Sequence, residues 1–144
     1  MAFLLYFKMI EKFKILPHQA DVRILAQGSN KENLFRAALK GLCKVMLQDK
    51  EIKQPSIIKQ ITVKSTDLTG LLIDFLSEVL SLSHQYKVLF CEVNFDKLTE
   101  SYLKAEIKGI EVQGFDEDVK AVTYHEANVV LVDDVFQTVI VLDI

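Results

Sequence analysis

An α+β fold, with two main helices and a mixed, mostly antiparallel β-sheet, is what the sequence predicts. Three observations lead there. Residues 29–47 and 65–86 carry apolar side chains at the three- and four-residue spacing of a buried helix face. Most of the remaining chain alternates apolar and polar residues, or runs apolar for the length of a strand. The elements follow one another as ββαβα and then four strands. A doubly wound fold would instead need strands and helices in regular alternation.

The elements can be justified in order. Phe13, Ile15 and Pro17 alternate with Lys14, Leu16 and His18, a first strand. Ala20, Val22, Ile24 and Ala26 alternate with Asp21, Arg23, Leu25 and Gln27, a second strand that Gly28 ends. Asp21 therefore shares a side with Arg23, away from the most apolar row. In SNKENLFRAALKGLCKVML, Ser29 and Glu32 have the spacing of a capping box. Leu34, Phe35, Ala38, Leu39, Leu42, Cys43 and Met46 form one stripe of that helix. A polar stretch with Pro55, the one plausible seam in the chain, leads to a strand at Ile58–Lys64. In the second helix Asp67 is the candidate N-cap. Leu68, Leu71, Leu72, Phe75, Leu76, Val79 and Leu82 make its apolar face, opposite Asp74, Ser77, Glu78 and Ser81. Leu89, Cys91, Val93 and Phe95 mark the next strand, and Leu103, Ala105 and Ile107 another. AVTYHEANVVLV and VFQTVIVLDI are apolar on both sides and read as strands covered on both faces.

Composition narrows the function classes. The 144 residues suffice for one domain with a proper core. We expect residues 9–144 to be that domain and residues 1–8 an extension outside it, with Met9 an alternative start. MAFLLYFK is too short to span a bilayer and has no basic flank, which leaves an interfacial anchor as the alternative. The net charge of −3 gives no electrostatic case for gripping RNA or DNA directly. Cys43 and Cys91 show no metal-binding spacing. They read as small buried hydrophobes in a reducing compartment, a disulfide being the alternative.

Motifs for stand-alone catalysis are missing: no GxSxG, no HExxH and no phosphate-binding glycine loop among five glycines. Asp74 and Glu78, four apart on one helix, are either a paired acid site or two solvated charges. His84, near a helix end, suits the dipole there. His125 sits mid-strand beside Glu126, and Lys120 opens the same strand after the acidic run FDEDV. The chain's last residues are the anomaly. VIVLDI ends on an apolar strand, where most chains end in a polar tail. In an ordered strand the Asp143 side chain and the Ile144 α-carboxylate are held close and repel unless a proton or cation joins them. A third carboxylate from Asp21 would complete an all-oxygen site suited to Ca²⁺ or Mg²⁺. Spacing alone leaves open whether the two ends of the chain meet.

PHQADVRI, LFRAALKGL, LLIDFLSEVLSLSH, VKAVTYHEA and the closing VLDI, in this order and spacing, resemble the archease family. Gln19 departs from the pattern, which usually has a small hydroxyl residue there, and residues 1–8 have no counterpart. The resemblance implies an α+β archease-like fold with an inserted module of the SHS2 type. It implies a small cytoplasmic protein, not itself an enzyme, that activates the RNA-splicing ligase RtcB. That ligase seals tRNA exons or broken RNA with GTP and a divalent metal, after guanylylating its own histidine. The family's metal site carries over onto Asp21, Asp143 and the Ile144 carboxylate, with Ca²⁺, or another hard cation such as Mg²⁺ or Mn²⁺. Lys120, and more weakly His125, would face the partner or its phosphates. Neither direct nucleic-acid binding nor a membrane is expected. The alternative is a metal-binding chaperone or modulator of other RNA-modifying enzymes. A small hydrolase using Asp74, Glu78 or His125 is a third.

Overall fold

The computed structural model describes residues 9–16, 21–48 and 54–144. Expectations for residues 1–8, for Pro17, His18, Gln19 and Ala20, and for part of the polar stretch before Pro55 fall outside the described residues. The elements are β1 (Glu11–Leu16), β2 (Val22–Gly28), α1 (Lys31–Met46), β3 (Ile57–Lys64), α2 (Leu68–Tyr86), β4 (Val88–Leu98), β5 (Tyr102–Glu111), β6 (Ala121–Thr123), β7 (Val130–Val132) and β8 (Val135–Asp143). One sheet runs β1-β2-β8-β6, with β7 also paired to β8. A second runs β3-β5-β4. All these pairings are antiparallel. The segment β3-α2-β4-β5 builds the second sheet by itself, between α1 and β6.

α1 is buried around most of its circumference. Leu34, Phe35, Ala37, Ala38, Leu39 and Leu42 are all at most 1% exposed, because β1 and β2 cover one side and β4 the other. Gly28 permits the close approach of β2 to α1: a Cβ there would lie 2.1 Å from the Leu34 nitrogen. Phe35, Phe75 and Phe95 join α1, α2 and β4 through ring centroids 5.7, 6.0 and 5.9 Å apart. One hydrophobic cluster thus runs from Ile24 and Ile140 of the first sheet to Leu103 and Ile107 of the second.

The N-cap of α2 is Asp67, as expected, accepting from the Gly70 N–H at 2.7 Å. The cap of α1 differs from expectation. Asn30 holds that place and accepts from the Asn33 N–H at 2.8 Å. Ser29 instead ties the chain before β1 to the helix start. Its hydroxyl accepts from the Ile10 N–H at 3.1 Å and from the Asn33 side chain at 3.0 Å. Glu32 turns to Arg36, one helical turn on. Cys43 is buried beside the Phe90 carbonyl, whereas Cys91 is only half-buried, at a register shift in β4.

The larger correction concerns AVTYHEANVVLV. It is two short strands, not one long strand, so five strands follow α2. His125 is exposed and lies in the turn between them, not mid-strand. Val130, Leu131 and Val132 are exposed too, at the sheet's edge, so this apolar run is not covered on both faces. The expectation holds for β8, where Ile140, Val141 and Leu142 are buried between β2 and β6. A tight hairpin joins β7 to β8. Val132 pairs with Val135, and Asp133 and Asp134 between them both have positive φ, 50° and 63°. That is the conformation a two-residue hairpin turn requires, and aspartate tolerates it better than most residues.

Candidate functional site

The antiparallel register of β2 on β8 pairs Val22 with Leu142. Asp21 and Asp143 are the next residues along each strand. On the other flank of β8, β6 pairs Ala121 with Asp143. The Lys120 N–H then donates to the Asp143 carbonyl at 2.7 Å. Three strand ends therefore meet at one end of the first sheet, bringing together Asp21, Lys120, Asp143 and Ile144. Asp143, Ile144 and Lys120 are exposed. Asp21 is half-buried, and its Oδ1 is sheltered from solvent.

Buried neighbours fix this arrangement. Leu142 is fully buried in the central strand, so β8 is held in register to its end. The Thr123 hydroxyl donates to the Val141 carbonyl at 3.0 Å, clasping β6 to β8. Carboxylate oxygens of Asp21 and Asp143, which follow one another across adjacent strand ends, would form a donor set of hard oxygens. Such a set fits Ca²⁺, Mg²⁺ or Mn²⁺ better than a metal that prefers sulfur or imidazole. Among the described residues no three His, Cys, Asp or Glu side chains are grouped to hold a metal.

His125 does not join this group. It lies past the opposite end of β6 from Lys120, in a turn anchored by two contacts that sequence reading missed. Glu126, with φ 62°, pairs with Arg23 of β2. The Tyr124 hydroxyl donates to the Asp74 carboxylate of α2. That bond, with Asp74's negative charge and some burial, holds the Tyr124 phenol above its ordinary pKa of 10.0. Asp74 is thus a hydrogen-bond acceptor for the turn, while Glu78 is a solvated charge. They do not form a paired acid site. Nothing local in the sequence signals either contact, because Arg23–Glu126 and Asp74–Tyr124 join residues 103 and 50 positions apart.

The comparison with known proteins meets this geometry. The model of the Archease protein family (MTH1598/TM1083) matches residues 13–144. The chain belongs to the archease family. Protein archease of Methanosarcina barkeri is 29% identical over 142 residues, 93% of this chain and 97% of that protein. Protein archease of Thermococcus kodakarensis is 32% identical over 127 residues, 83% of this chain and 89% of the relative. The solution structure of protein 1598 of Methanobacterium thermoautotrophicum superposes with a TM-score of 0.77 at 25% identity, covering 94% of this chain and all of that one. A crystal structure of an archease from Thermotoga maritima, described as a possible chaperone, superposes with a TM-score of 0.61 at 20% identity, over 91% and 96% of the two chains. That likeness shows the shared fold. The archease relatives are named as proteins, not as enzymes of a stated reaction. Among the described residues no helix is long and apolar enough to cross a membrane.

Proposed function

We propose that this archease is a non-catalytic activator of an RtcB-type RNA ligase, working in the cytoplasm through a hard-cation site. Asp21, Asp143 and the Ile144 carboxylate would be its ligands. The observation that supports the reading most is the register joining β2, β8 and β6, which draws Asp21, Asp143 and Lys120 to one sheet end. A hard divalent cation there would supply positive charge to phosphate oxygens or to a partner's carboxylates. The chain's own residues do the rest. Asp21 and Asp143 present acceptor oxygens from a fixed sheet, and Lys120 offers an exposed ammonium beside them. Such a cluster suits docking at a ligase centre that handles GTP and metal, where it promotes guanylylation and repeated turnover. The acidic net charge accords with a protein that acts on the ligase and leaves RNA to it.

The test is a ligation assay with the cognate ligase, GTP, divalent metal and a several-fold excess of broken RNA. Many sealed products per ligase only when this protein is present support the reading. Equal turnover with and without it, from an active ligase, rejects it.

A second reading, a metal-binding chaperone or modulator of other RNA-modifying enzymes, draws on the description of the Thermotoga maritima relative as a possible chaperone. It also draws on the exposed apolar strand Val130–Val132. Stoichiometry separates the two. An activator works at substoichiometric amounts on one ligase, whereas a holding chaperone suppresses aggregation of unrelated clients only near one to one.

A further inference from the structure

A cleft of about 370 Å³ lies between the second half of α2 and the start of β6. Ser77, Leu80, Ser81 and His84 line it from the helix, and Lys120, Ala121 and Val122 from the strand. The helical members fall at i, i+3, i+4 and i+7, which is one continuous stripe. In the sequence these residues look unrelated: two serines on a polar helix face, a histidine at a helix end and a surface lysine. The fold brings them to one wall and its opposite lip.

We propose that this cleft is a phosphomonoester-binding site for a small organic ligand. Donors dominate its polar lining. Ser77 and Ser81 each have a hydroxyl proton to give, and Lys120 has three. None of the ion pairs among the described residues involves Lys120. Its charge is therefore available to an incoming anion. The His84 Nε2 lies 2.9 Å from the Val119 carbonyl, which can only accept, so Nε2 carries a proton. The ring also packs edge-on against Phe115, with centroids 5.4 Å apart. These two contacts hold the exposed His84 ring at the cleft, with Nδ1 its remaining polar atom. The floor is apolar: Leu80 is 4% exposed and Val122 7%. An apolar floor with a few convergent donors is the usual build of a small-ligand pocket, and this volume lies at the lower end of the usual range. That suits a phosphate carried on one ring system and excludes a large ligand. Glu78, next to Ser77 in sequence, and Asp143, paired with Ala121, are not among the lining residues.

The inference extends the part given to Lys120 but rests on neither the ligase nor a bound cation. The full chain, labelled with ¹⁵N and kept in EDTA to exclude metal-bridged phosphate, is titrated with adenosine 5′-monophosphate, inorganic phosphate and adenosine in separate experiments. Supporting results are saturable amide shifts at Ser77, Ser81, His84 and Ala121 with adenosine 5′-monophosphate that adenosine does not produce. Inorganic phosphate shifting the same amides assigns binding to the phosphate alone; failure to do so assigns a share to the ring. Lys120→Gln should weaken binding at least about tenfold, the value of one lost charge-assisted hydrogen bond. The double variant Ser77→Ala/Ser81→Ala, whose residues suit a helix, should weaken it further with an unchanged circular dichroism spectrum. The proposal is overturned if no phosphate compound gives saturable shifts at the cleft. Equal effects of adenosine and its monophosphate overturn it too, as does unchanged affinity in folded Lys120→Gln protein.

Discussion

The Lys120 N–H and the Asp143 carbonyl are joined by a 2.7 Å hydrogen bond across β6 and β8. It uses only backbone atoms, so it fixes where both side chains start while leaving ammonium and carboxylate free for other partners. Asp21 arrives from the opposite flank of β8 through its own register. A central strand with a neighbour on each side is the simplest way to bring residues 21, 120 and 143 together.

The proposed cation site predicts that Asp143→Ala lowers Ca²⁺ affinity at least about tenfold, since it removes a charged ligand. Calorimetric titration reads the affinity, and the ligation assay reads the consequence. Asp143 is exposed at the strand's end, so the variant should keep its melting temperature within a few degrees. Full stimulation of the ligase by the folded variant would remove the mechanism. Extending the chain beyond Ile144 converts the terminal carboxylate to an amide and should also weaken Ca²⁺ binding. Unchanged affinity would exclude Ile144 as a ligand.

Much of this fold could be read from periodicity, and much of the site could not. The α2 stripe, its Asp67 cap and the alternation of β2 and β5 are local patterns, and each recurs in the structure. Leu103, Ala105 and Ile107, for example, are all fully buried. The reading of AVTYHEANVVLV failed because an apolar run does not reveal whether it is central or at an edge. Nor does Asp133–Asp134 stand out as a two-residue hairpin turn, since Asn-Gly and Asp-Gly are the stronger signals. Asp21 and Asp143 are each visible as odd carboxylates. Their meeting depends on strand order, which no short-range pattern encodes. The archease resemblance supplied that link where periodicity could not.

The cap of α1 is open to a direct test. Asn30→Ala should cost about 1 kcal/mol of stability, because the Asn33 N–H loses its acceptor at the helix start. Glu32→Ala should cost much less, since Glu32 is exposed and its side chain pairs with half-buried Arg36 at 3.5 Å. Urea denaturation of both variants reads the difference. A larger loss from Glu32→Ala would restore the capping box.

The junction of α1, α2 and β4 should be sensitive to truncation. Phe75 is fully buried and touches both Phe35 and Phe95. Phe75→Ala should cost about 3–5 kcal/mol from lost transfer free energy and the cavity left behind. Chemical denaturation measures it. A loss below about 1 kcal/mol would mean that the three rings do not form a packed unit.

Tyr124 gives the pH prediction. Its phenol is held above the ordinary value of 10.0, first by the hydrogen bond to Asp74, then by desolvation and the negative charges of Asp74 and Asp67. The neutral phenol is thus favoured by the fold. The sign follows from linkage: the contribution to stability is fully present below pH 10.0 and is lost as pH rises through the raised folded value. Spectrophotometric titration of the phenolate band should show one tyrosine ionising later than in the unfolded chain. Asp74→Ala should return it toward 10.0, because the acceptor and the nearest negative charge go together. Tyr124→Phe should remove the late-ionising component and leave the other tyrosines unchanged. If the late component survives Tyr124→Phe, another tyrosine carries it, and the link from Tyr124 to α2 is not what shifts the titration.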